Sequence, residues 1–426
     1  MTQEQIIGVV GLGYVGLPLS MSFCDAGFHV VGVDVSERVV QSLKQGWSHI
    51  EDVDVATLKK HIESSSFEPT TDYTDLSRAN SISICVPTPL RKSKDPDMGY
   101  VVGAVEAIAE VIQSGQTIVL ESTVYPGATE ELIVPILEKK GLKVGVDFYL
   151  AFSPERVDPG NQQYSIHQIP KVIGGITSAC TEKAVALYQH IFEQVMPVKS
   201  AKEAEMAKLL ENTFRSINIG LINELAIVAH KMNIDIWEVI EAAATKPFGF
   251  MPFYPGPGLG GHCIPVDPFY LSWKAKMVAA ETGFIELAGR VNGNMPLYVA
   301  DRIATQLNNQ AKAVNGSNVL VLGVAYKRDV SDIRESPALD VIGLLHQRKA
   351  NVQYHDPHVP AFDYLDQTWK KVDLTEQTLS DANCVVILTD HTGYDYEWVA
   401  KHAKAVFDAR NATKAIRAEF DNIEVL

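Results

Sequence analysis

Residues Ile6 to Asp34, reading IIGVVGLGYVGLPLSMSFCDAGFHVVGVD, decide the fold of this chain. The apolar run Ile6 to Val10 predicts a buried parallel strand, and a helix-like segment follows as far as Ala26. Phe28 to Val33 predicts a second strand. Strand, glycine-rich turn, helix and strand in this order predict the first half of a doubly wound α/β domain.

The turn after the first strand reads GLGYVG, a GxGxxG arrangement. Its glycines, Gly11, Gly13 and Gly16, allow a tight turn and a close approach to a pyrophosphate at the helix N-terminus. Tyr14 and Val15 lie inside the same turn. We therefore expect all five residues to contact a dinucleotide.

An acidic residue, Asp34, ends the second strand 18 residues after Gly16. At this spacing it can accept hydrogen bonds from the adenosine ribose hydroxyls and repel a 2′-phosphate. This favours NAD over NADP. Arg38 leaves NADP open, since a nearby arginine can accommodate the extra phosphate.

Two further apolar runs predict strands that end in distinctive loops. They are Ser81 to Val86, which ends in VPTP, and Thr117 to Glu121, which ends in ESTVYPG. Ligands of open parallel sheets bind outside the carboxyl ends of the strands, so Pro87, Thr88 and Thr123 are expected to touch cofactor or substrate. Turn formation and helix capping are the alternative explanation for both threonines.

A polar loop, SPERVDPGN (Ser153 to Asn161), follows another apolar run at Phe148 to Phe152. Glu155 and Arg156 are its charged candidates for a site. Adjacent charges in a loop are equally compatible with plain solvation.

The middle of the chain changes character, because residues Ala201 to Asn233 lack proline and repeat apolar residues at helical spacing. We predict one long helix, or two that are nearly continuous. Lys208 and Asn212 are four residues apart and share a face of that helix. Together they could stabilise negative charge on a carbonyl oxygen, or they could be an exposed pair.

One of the five cysteines differs from the rest. Cys263 lies in PGPGLGGHCIPVDP (Pro255 to Pro268), four residues before Asp267, whereas the others fit core positions or a helix start. A low thiol pKa would make Cys263 a nucleophile, assisted by His262 or a lysine. We expect no metal site from His262, Cys263 and Asp267, since there is no second ligand cluster.

The last third predicts a second doubly wound domain without a second GxGxxG. Its elements are strands at Asn318 to Val324, Asn351 to His355, Cys384 to Thr389 and Ala405 to Asp408, and a helix at Pro337 to Gln347. Lys327, Arg334 and Arg410 supply cations at or near strand ends. Arginine forks suit the phosphates of a nucleotide diphosphate.

Composition narrows the function classes. The chain has 426 residues and a formal net charge of −15 with no basic cluster, so nucleic acid is not an expected partner. No stretch reaches the ~18 to 20 apolar residues of a membrane span. Five cysteines without a CxxC pair predict neither a disulfide framework nor zinc. We expect a cytoplasmic protein.

These patterns together predict an α/β chain of two Rossmann-like doubly wound domains joined by a central helical domain with a long helix. The predicted boundaries are 1–198 for the NAD-binding domain, 199–310 for the central helical domain with the Cys263 loop, and 311–426 for the C-terminal α/β domain.

The motifs GLGYVG, VPTP, ESTVYPG, SPERVDPG, GGHCIPVDP, GVAYKRDVSDIRESP and FDARN, with the Lys208 and Asn212 pair, resemble in order those of the nucleotide-sugar 6-dehydrogenases typified by UDP-glucose dehydrogenase. The resemblance spans essentially the whole chain. It implies a four-electron oxidation of a sugar C6 alcohol to a carboxylate with two NAD and without release of the aldehyde.

The resemblance also implies roles for single residues. Cys263 matches the thiol that captures the aldehyde, and Asp267 the carboxylate that assists deprotonation and hydrolysis. Lys208 and Asn212 match the oxyanion-stabilising pair, with Lys208 also a candidate base. Thr123 and Glu155 match residues near the catalytic water. The substrate-binding residues are expected to be Glu155, Arg156, Lys208, Asn212, Tyr254, Gly260, Lys327, Arg334 and Arg410. The resemblance further implies that 199–310 is a dimerisation domain and that 311–426 binds the UDP-sugar, so a homodimer or larger assembly is expected.

Substrate identity rests on fewer residues. SPERVDPGN is similar to the branch that acts on UDP-N-acetylhexosamines, with Pro159 where the UDP-glucose branch carries a second glutamate; His262 and Ile264 also differ from that branch. We expect UDP-N-acetylglucosamine, then its galacto or manno epimer, then UDP-glucose, as the substrate. The resemblance implies that the acidic product is a precursor of capsule, O-antigen or another surface polysaccharide. Two other functions are considered as alternatives. One is a hydroxyacid dehydrogenase, which would need neither Cys263 nor the last domain. The other is a nucleotide-sensing scaffold, which would not turn over substrate.

Overall fold

The computed structural model describes residues 5–50, 52–91, 93–156 and 165–426. The loop predicted to be polar at Ser153 to Asn161 is therefore described only as far as Arg156, and Pro159 lies outside the described residues. The chain forms two compact units. The first comprises residues 1–211 and 269–280, and the second comprises residues 212–268 and 281–426.

The first unit is built on an eight-stranded sheet in the order β3-β2-β1-β4-β5-β6-β7-β8. Its strands are β1 (Ile6–Val10), β2 (His29–Val33), β3 (Phe67–Thr70), β4 (Ser81–Ile84), β5 (Thr117–Leu120), β6 (Tyr149–Phe152), β7 (Lys171–Gly175) and β8 (Val195–Pro197). All neighbours pair in parallel except β6 and β7. The carboxyl ends of β1, β4, β5 and β6 therefore meet at one edge.

Helices flank this sheet and continue into the middle of the chain. They are α1 (Gly16–Asp25), α2 (Glu37–Lys44), α3 (Val55–Glu63), α4 (Gly99–Val111), α5 (Val134–Leu137), α6 (Ser178–Tyr188), α7 (Ala201–Lys231), α8 (Ile236–Ala244), α9 (Asp267–Met277) and α10 (Gly283–Asn309). Leu17, Phe23, Val30 and Tyr188 belong to the core between sheet and helices. The 31-residue α7 confirms the predicted long helix.

The second unit carries a fully parallel five-stranded sheet in the order β10-β9-β13-β14-β15 and a separate hairpin of β11 and β12. The strands are β9 (Asn318–Leu322), β10 (Asn351–His355), β11 (Ala361–Tyr364), β12 (Gln367–Lys370), β13 (Cys384–Ile387), β14 (Val406–Asp408) and β15 (Ile423–Val425). Its further helices are α11 (Pro337–Gln347), α12 (Glu376–Asp381) and α13 (Tyr396–His402). Apolar cores cover both faces of this sheet.

The predicted fold class is confirmed by these two sheets and the long helix. Strand β1 and helix α11 begin and end where the sequence predicts, because their apolar periodicity is uninterrupted. The edge strands β3 and β8 were missed, since they are three or four residues long and carry a proline. The hairpin of β11 and β12 was also missed.

Candidate functional site

Four loops of the first unit share the sheet edge at which β1, β4, β5 and β6 end. They begin at Gly11, Cys85, Glu121 and Ser153 and contain the motifs singled out in the sequence. Hydrogen bonds join neighbouring loops: the Ser122 hydroxyl donates to the Val86 carbonyl oxygen at 2.8 Å. Parallel pairing thus brings the predicted cofactor residues of this unit to one edge.

The glycine turn has the geometry that a pyrophosphate requires. Gly11 has a φ of +90°, and a Cβ on Gly16 would collide with the carbonyl oxygen of Gly11. A Cβ on Gly13 would meet no atom within 4 Å, so this face of the turn is open. Helix α1 starts at Gly16 with Val15 as its N-cap and no side-chain cap from the described residues. Its N-terminal N–H groups are oriented for an anion, and Tyr14 is exposed beside them.

Asp34 organises the turn as well as ending β2. Its carboxylate accepts hydrogen bonds from the backbone N–H groups of Leu12 and Ser36, both at 2.9 Å. Each carboxylate oxygen has a second lone-pair direction, so ribose hydroxyls can still be accepted. Arg38 is exposed in the first turn of α2.

The VPTP loop is supported by a residue that the sequence did not reveal. Tyr270, fully buried, donates its hydroxyl to the Thr88 carbonyl oxygen at 2.9 Å. Pro87 is exposed, and Thr88 and Thr123 are partly exposed, so all three are accessible to a ligand. In the sequence, Tyr270 only follows the Cys263 loop. No spacing rule could have predicted its contact with the VPTP motif.

Two residues predicted as catalytic contact each other in the first unit. The Lys208 ammonium donates to the backbone carbonyl oxygen of Glu155 at 2.6 Å, while the Glu155 carboxylate points to a different partner, Lys171, at 3.3 Å. Arg156, predicted to bind substrate, places its guanidinium 2.7 Å from both a Glu211 carboxylate oxygen and the Pro170 carbonyl oxygen. Its role with substrate stays a prediction.

Lys171 is a functional candidate that sequence analysis missed. It begins the otherwise apolar strand β7 and is almost fully buried. The lysine in the otherwise apolar sequence KVIGG could have identified Lys171 as a candidate, because a buried lysine needs a partner. Its partners, Glu121 and Glu155, belong to the two motifs ESTVYPG and SPERVDPG.

The predicted nucleophile and two predicted partners lie in the second unit. The Asn212 side-chain amide donates to the Asp267 carboxylate at 2.6 Å, although 55 residues separate them, and both residues are buried. Cys263 is partly exposed. Its carbonyl oxygen accepts hydrogen bonds from the N–H groups of Val266 at 3.1 Å and Asp267 at 2.8 Å. This turn holds the thiol-bearing residue and the carboxylate in one short segment.

The glycines before Cys263 let the loop lie directly against the segment from Tyr326 to Pro337. A Cβ on Gly260 would lie 2.6 Å from the Tyr326 Cβ, and one on Gly261 would lie 2.9 Å from the Tyr326 ring. The Gly261 N–H donates to the Arg334 carbonyl oxygen at 3.1 Å. Larger residues would push this loop away from the segment.

A relay of buried amides fixes the start of the same loop. The Gly256 N–H donates to Asn223 Oδ1 at 3.0 Å, and Asn223 Nδ2 donates to Asn292 Oδ1 at 2.9 Å. Asn292 Nδ2 then donates to the Ser216 carbonyl oxygen at 3.0 Å. Tyr254, two residues before Gly256, is half exposed and stacks on Trp237 with ring centroids 6.0 Å apart.

The predicted phosphate-binding cations of the second unit lie after strand ends. The Arg334 guanidinium contacts the Asp332 carboxylate at 2.6 Å, and Arg410 Nε lies 3.3 Å from Asp390 Oδ1. Lys327 is partly exposed. Carboxylate partners hold both arginines in defined directions, and each guanidinium has further N–H groups for a phosphate.

Asp329, His358 and His391 form a group that sequence analysis did not identify, with possible ligand atoms within 4.8 Å of one another. His391 Nδ1 accepts the Asp329 N–H at 2.9 Å, so Nε2 carries the proton and donates to Asp356 at 3.0 Å. Both His391 nitrogens are therefore engaged. At most two ligands remain, which is too few for a closed metal site.

Comparison with protein families accounts for all three parts of the chain. The NAD-binding domain of the UDP-glucose/GDP-mannose dehydrogenase family matches residues 5–192, the central domain matches residues 202–294, and the UDP-binding domain matches residues 320–415. The chain belongs to this family. It is an NAD-dependent oxidoreductase of the UDP-sugar dehydrogenase class, which confirms the resemblance, the cofactor and the predicted enzyme class.

Individual relatives agree with this family assignment. The chain is 40% identical over 363 residues to UDP-N-acetyl-D-glucosamine 6-dehydrogenase of Pseudomonas aeruginosa, covering 85% of each chain. It is 35% identical over 414 residues to UDP-N-acetyl-D-mannosamine dehydrogenase of Pyrococcus horikoshii, covering 96% of each. The solved structure of UDP-D-ManNAc dehydrogenase from P. horikoshii aligns with a TM-score of 0.89 at 34% identity, covering 99% of both chains.

The described helices include no candidate membrane span. None within residues 5–50, 52–91, 93–156 and 165–426 combines the length and the apolar character that crossing a bilayer requires.

Proposed function

We propose that this enzyme oxidises the C6 alcohol of a UDP-N-acetylhexosamine, UDP-N-acetylglucosamine first, to the uronate in a four-electron reaction. Two molecules of NAD, bound one after the other, would supply the hydride acceptors for the two oxidations. The Cys263 thiolate adds to the C6 aldehyde to form a thiohemiacetal, whose oxidation leaves a thioester. Water then attacks the thioester carbonyl, the C–S bond breaks, and Cys263 leaves as the thiolate.

The observation that carries this proposal is the partly exposed Cys263 one turn before the buried Asp267, whose carboxylate is held by Asn212. An unreactive cysteine would be expected in the core, as the other four are. In this assignment Asn212 and Lys208 stabilise oxyanions, and Lys208 is the candidate base for the alcohol. Thr123 and Glu155 act near the hydrolytic water.

We assign NAD to the glycine turn, with Gly11, Gly13, Tyr14, Val15 and Gly16 at the pyrophosphate and Asp34 at the adenosine ribose. The uncapped N-terminus of α1 and the open face of Gly13 support this. Arg38, Pro87, Thr88 and Thr123 complete the proposed cofactor contacts. For the UDP-sugar we propose Glu155, Arg156, Lys208, Asn212, Tyr254, Gly260, Lys327, Arg334 and Arg410.

The N-acetylhexosamine is proposed because the names of the similar proteins carry it, one with the gluco and one with the manno configuration. UDP-N-acetylglucosamine is placed first because its dehydrogenase shares the higher identity. UDP-N-acetylmannosamine is the second candidate, supported by the P. horikoshii structure. UDP-N-acetylgalactosamine and UDP-glucose follow.

The deciding experiment measures NADH formed per limiting UDP-N-acetylglucosamine with excess NAD, run to completion. Two equivalents support both the substrate and the four-electron route. One equivalent would refute the role of Cys263. No NADH, followed by two equivalents from the manno epimer or UDP-glucose, would refute only the choice of sugar.

We also propose a homodimer or larger assembly through the central helices. Along the part of α7 in the second unit, the exposed apolar residues fall at helical spacing on one stripe: Phe214, Leu221, Leu225 and Val228. Such a stripe on a soluble protein marks an interaction surface. Light scattering of wild type and Leu221→Glu/Leu225→Glu tests this, and an unchanged molar mass would refute it.

The remaining proposals concern organisation and location. We propose domains at 1–198, 199–310 and 311–426, which limited proteolysis can test at residues near 199 and 311. We propose a cytoplasmic location, where thiols stay reduced and NAD is available.

A further inference from the structure

Lys171 sits between two carboxylates in the interior of the first unit. Its ammonium nitrogen lies 2.5 Å from Glu121 Oε2 and 3.3 Å from Glu155 Oε2. The Lys171 side chain is 3% exposed, Glu121 is fully buried, and Glu155 is 14% exposed. Of the three charges, only Glu155 reaches toward solvent.

Glu121 and Lys171 have their partners inside the protein. Glu121 uses both oxygens internally, because Tyr188 donates its hydroxyl to Oε1 and Lys171 donates to Oε2. Burial alone would lower the pKa of Lys171, but the carboxylates of Glu121 and Glu155 raise it, so the lysine is an ammonium. The Tyr188 and Phe192 rings, 5.5 and 5.3 Å away, enclose that ammonium.

The Glu155 carboxylate is thereby fixed at both oxygens. Oε1 accepts the N–H of Arg156 at 2.7 Å, and Oε2 faces Lys171. The backbone at Glu155 is held separately, since its carbonyl oxygen accepts the Lys208 ammonium. Without Lys171, Oε2 would lose the ammonium that faces it, and the direction of the carboxylate would be less restricted.

We propose that Lys171 is a positioning residue for Glu155 and acts on hydrolysis of the Cys263 thioester. The inference rests on the proposed function, in which Glu155 lies near the hydrolytic water. Glu155 accepts a proton from that water as the water oxygen bonds to the thioester carbon. The C–S bond then breaks to release the Cys263 thiolate. A carboxylate held by donors at both oxygens keeps its remaining lone pairs in fixed directions for this proton.

The primary test compares wild type, Lys171→Met and Lys171→Arg by stopped-flow detection of NADH. Misplacement of a catalytic group costs up to about 100-fold, so Lys171→Met is expected to slow hydrolysis about 10- to 100-fold. NADH formation should then show a burst approaching two equivalents per Cys263 before a slow steady state. The burst rate and kcat/KM should stay near the wild-type values while KM falls together with kcat, because only the step after thioester formation is slowed, and Lys171→Arg should restore most of kcat.

A double variant distinguishes the proposed positioning role of Lys171 from a purely structural role. Lys171→Met leaves Glu121 as a stranded buried carboxyl, whereas Glu121→Gln/Lys171→Met removes the pair together. If Lys171 only neutralises Glu121, the double variant will regain wild-type hydrolysis, and the proposal is overturned. Slow hydrolysis in the folded double variant supports positioning.

Glu121→Gln alone completes the design, because it keeps Lys171 beside Glu155 and remains informative if the methionine variants do not fold. It should hydrolyse the thioester at the wild-type rate, and slowing equal to that expected for Lys171→Met would overturn the proposal. Tyr188→Phe is the matched control within the same cluster. If wild type itself fails to give two NADH per sugar, the proposed function fails rather than the role of Lys171.

Discussion

A buried carboxyl on α7, Glu205, is expected to make the stability of this enzyme depend on pH. Its oxygens accept hydrogen bonds from the Gly127 N–H at 2.5 Å, the Thr129 N–H at 2.9 Å and the Thr129 hydroxyl at 2.6 Å. Burial raises the Glu205 pKa from 4.5 to about 7, because desolvation of the anion outweighs these hydrogen bonds. The folded protein therefore binds one more proton than the unfolded chain between those two values.

The sign of the effect follows from that extra proton. Stability falls as pH rises from the unfolded pKa through the folded pKa, and it is constant above. Integrating between pH 5 and pH 8 gives a loss of about 2.5 kcal/mol attributable to this one group. The glutamine side chain in Glu205→Gln cannot ionise, so this variant should lack this part of the pH dependence. Any stability that the substitution costs through the hydrogen bond of the Gly127 N–H does not alter this expectation.

The assay is urea denaturation of wild type and Glu205→Gln at pH 5 and pH 8, followed by fluorescence. The unfolding free energy of wild type minus that of the variant should be about 2.5 kcal/mol greater at pH 5 than at pH 8. Glu224→Gln, an exposed glutamate on the same helix, is the matched control and should show no such difference. A difference for Glu205→Gln that is equal at the two pH values would refute the neutral buried carboxyl.

Three other predictions concern the site. Cys263→Ser should form uronate at a sharply reduced rate, measured as product per UDP-sugar, and full four-electron turnover would remove the covalent step. Gly16→Ala should weaken NAD binding in a fluorescence titration, because its Cβ would collide with the Gly11 carbonyl oxygen; wild-type affinity would contradict the close turn. Asn212→Ala should lower kcat by about 10²- to 10³-fold, the usual effect of losing an oxyanion donor, and should destabilise the fold by about 1.5 to 3 kcal/mol as the buried Asp267 carboxylate loses its amide donor. Kinetics and denaturation of that variant check both parts, and an unchanged kcat would exclude Asn212 from the reaction.

The sequence predicted the elements whose periodicity is long and uninterrupted. The Rossmann turn, the 31-residue α7 and the strand at Asn351–His355 are confirmed, because buried parallel strands and amphipathic helices leave regular patterns. The predicted strand at Ser81 to Val86 ends two residues earlier, at Ile84, since the chain turns into the VPTP loop. Strand ends depend on neighbouring loops, which periodicity does not record.

From the sequence, the motifs of the site and the types of its residues could be predicted, but the contacts between their side chains could not. Parallel strand ends predicted that the loops after β1, β4, β5 and β6 meet at one edge. The contact of Asn212 with Asp267, and of Lys171 with Glu155, could not be predicted by spacing, because each joins segments that only the folded chain brings together. The carboxylate partners of Arg156 and Arg410 were missed for the same reason.

The relay from Gly256 through Asn223 and Asn292 to Ser216 has a direction, since every amide in it donates away from the loop. An aspartate at Asn223 would face the Asn292 carbonyl oxygen with a carboxylate oxygen, and turning the Asn292 amide around would remove its bond to Ser216. The two asparagines therefore depend on each other: a substitution at Asn223 removes the donor to Asn292, and a substitution at Asn292 removes the acceptor of Asn223. A single substitution at either position would loosen the start of the loop that carries Cys263.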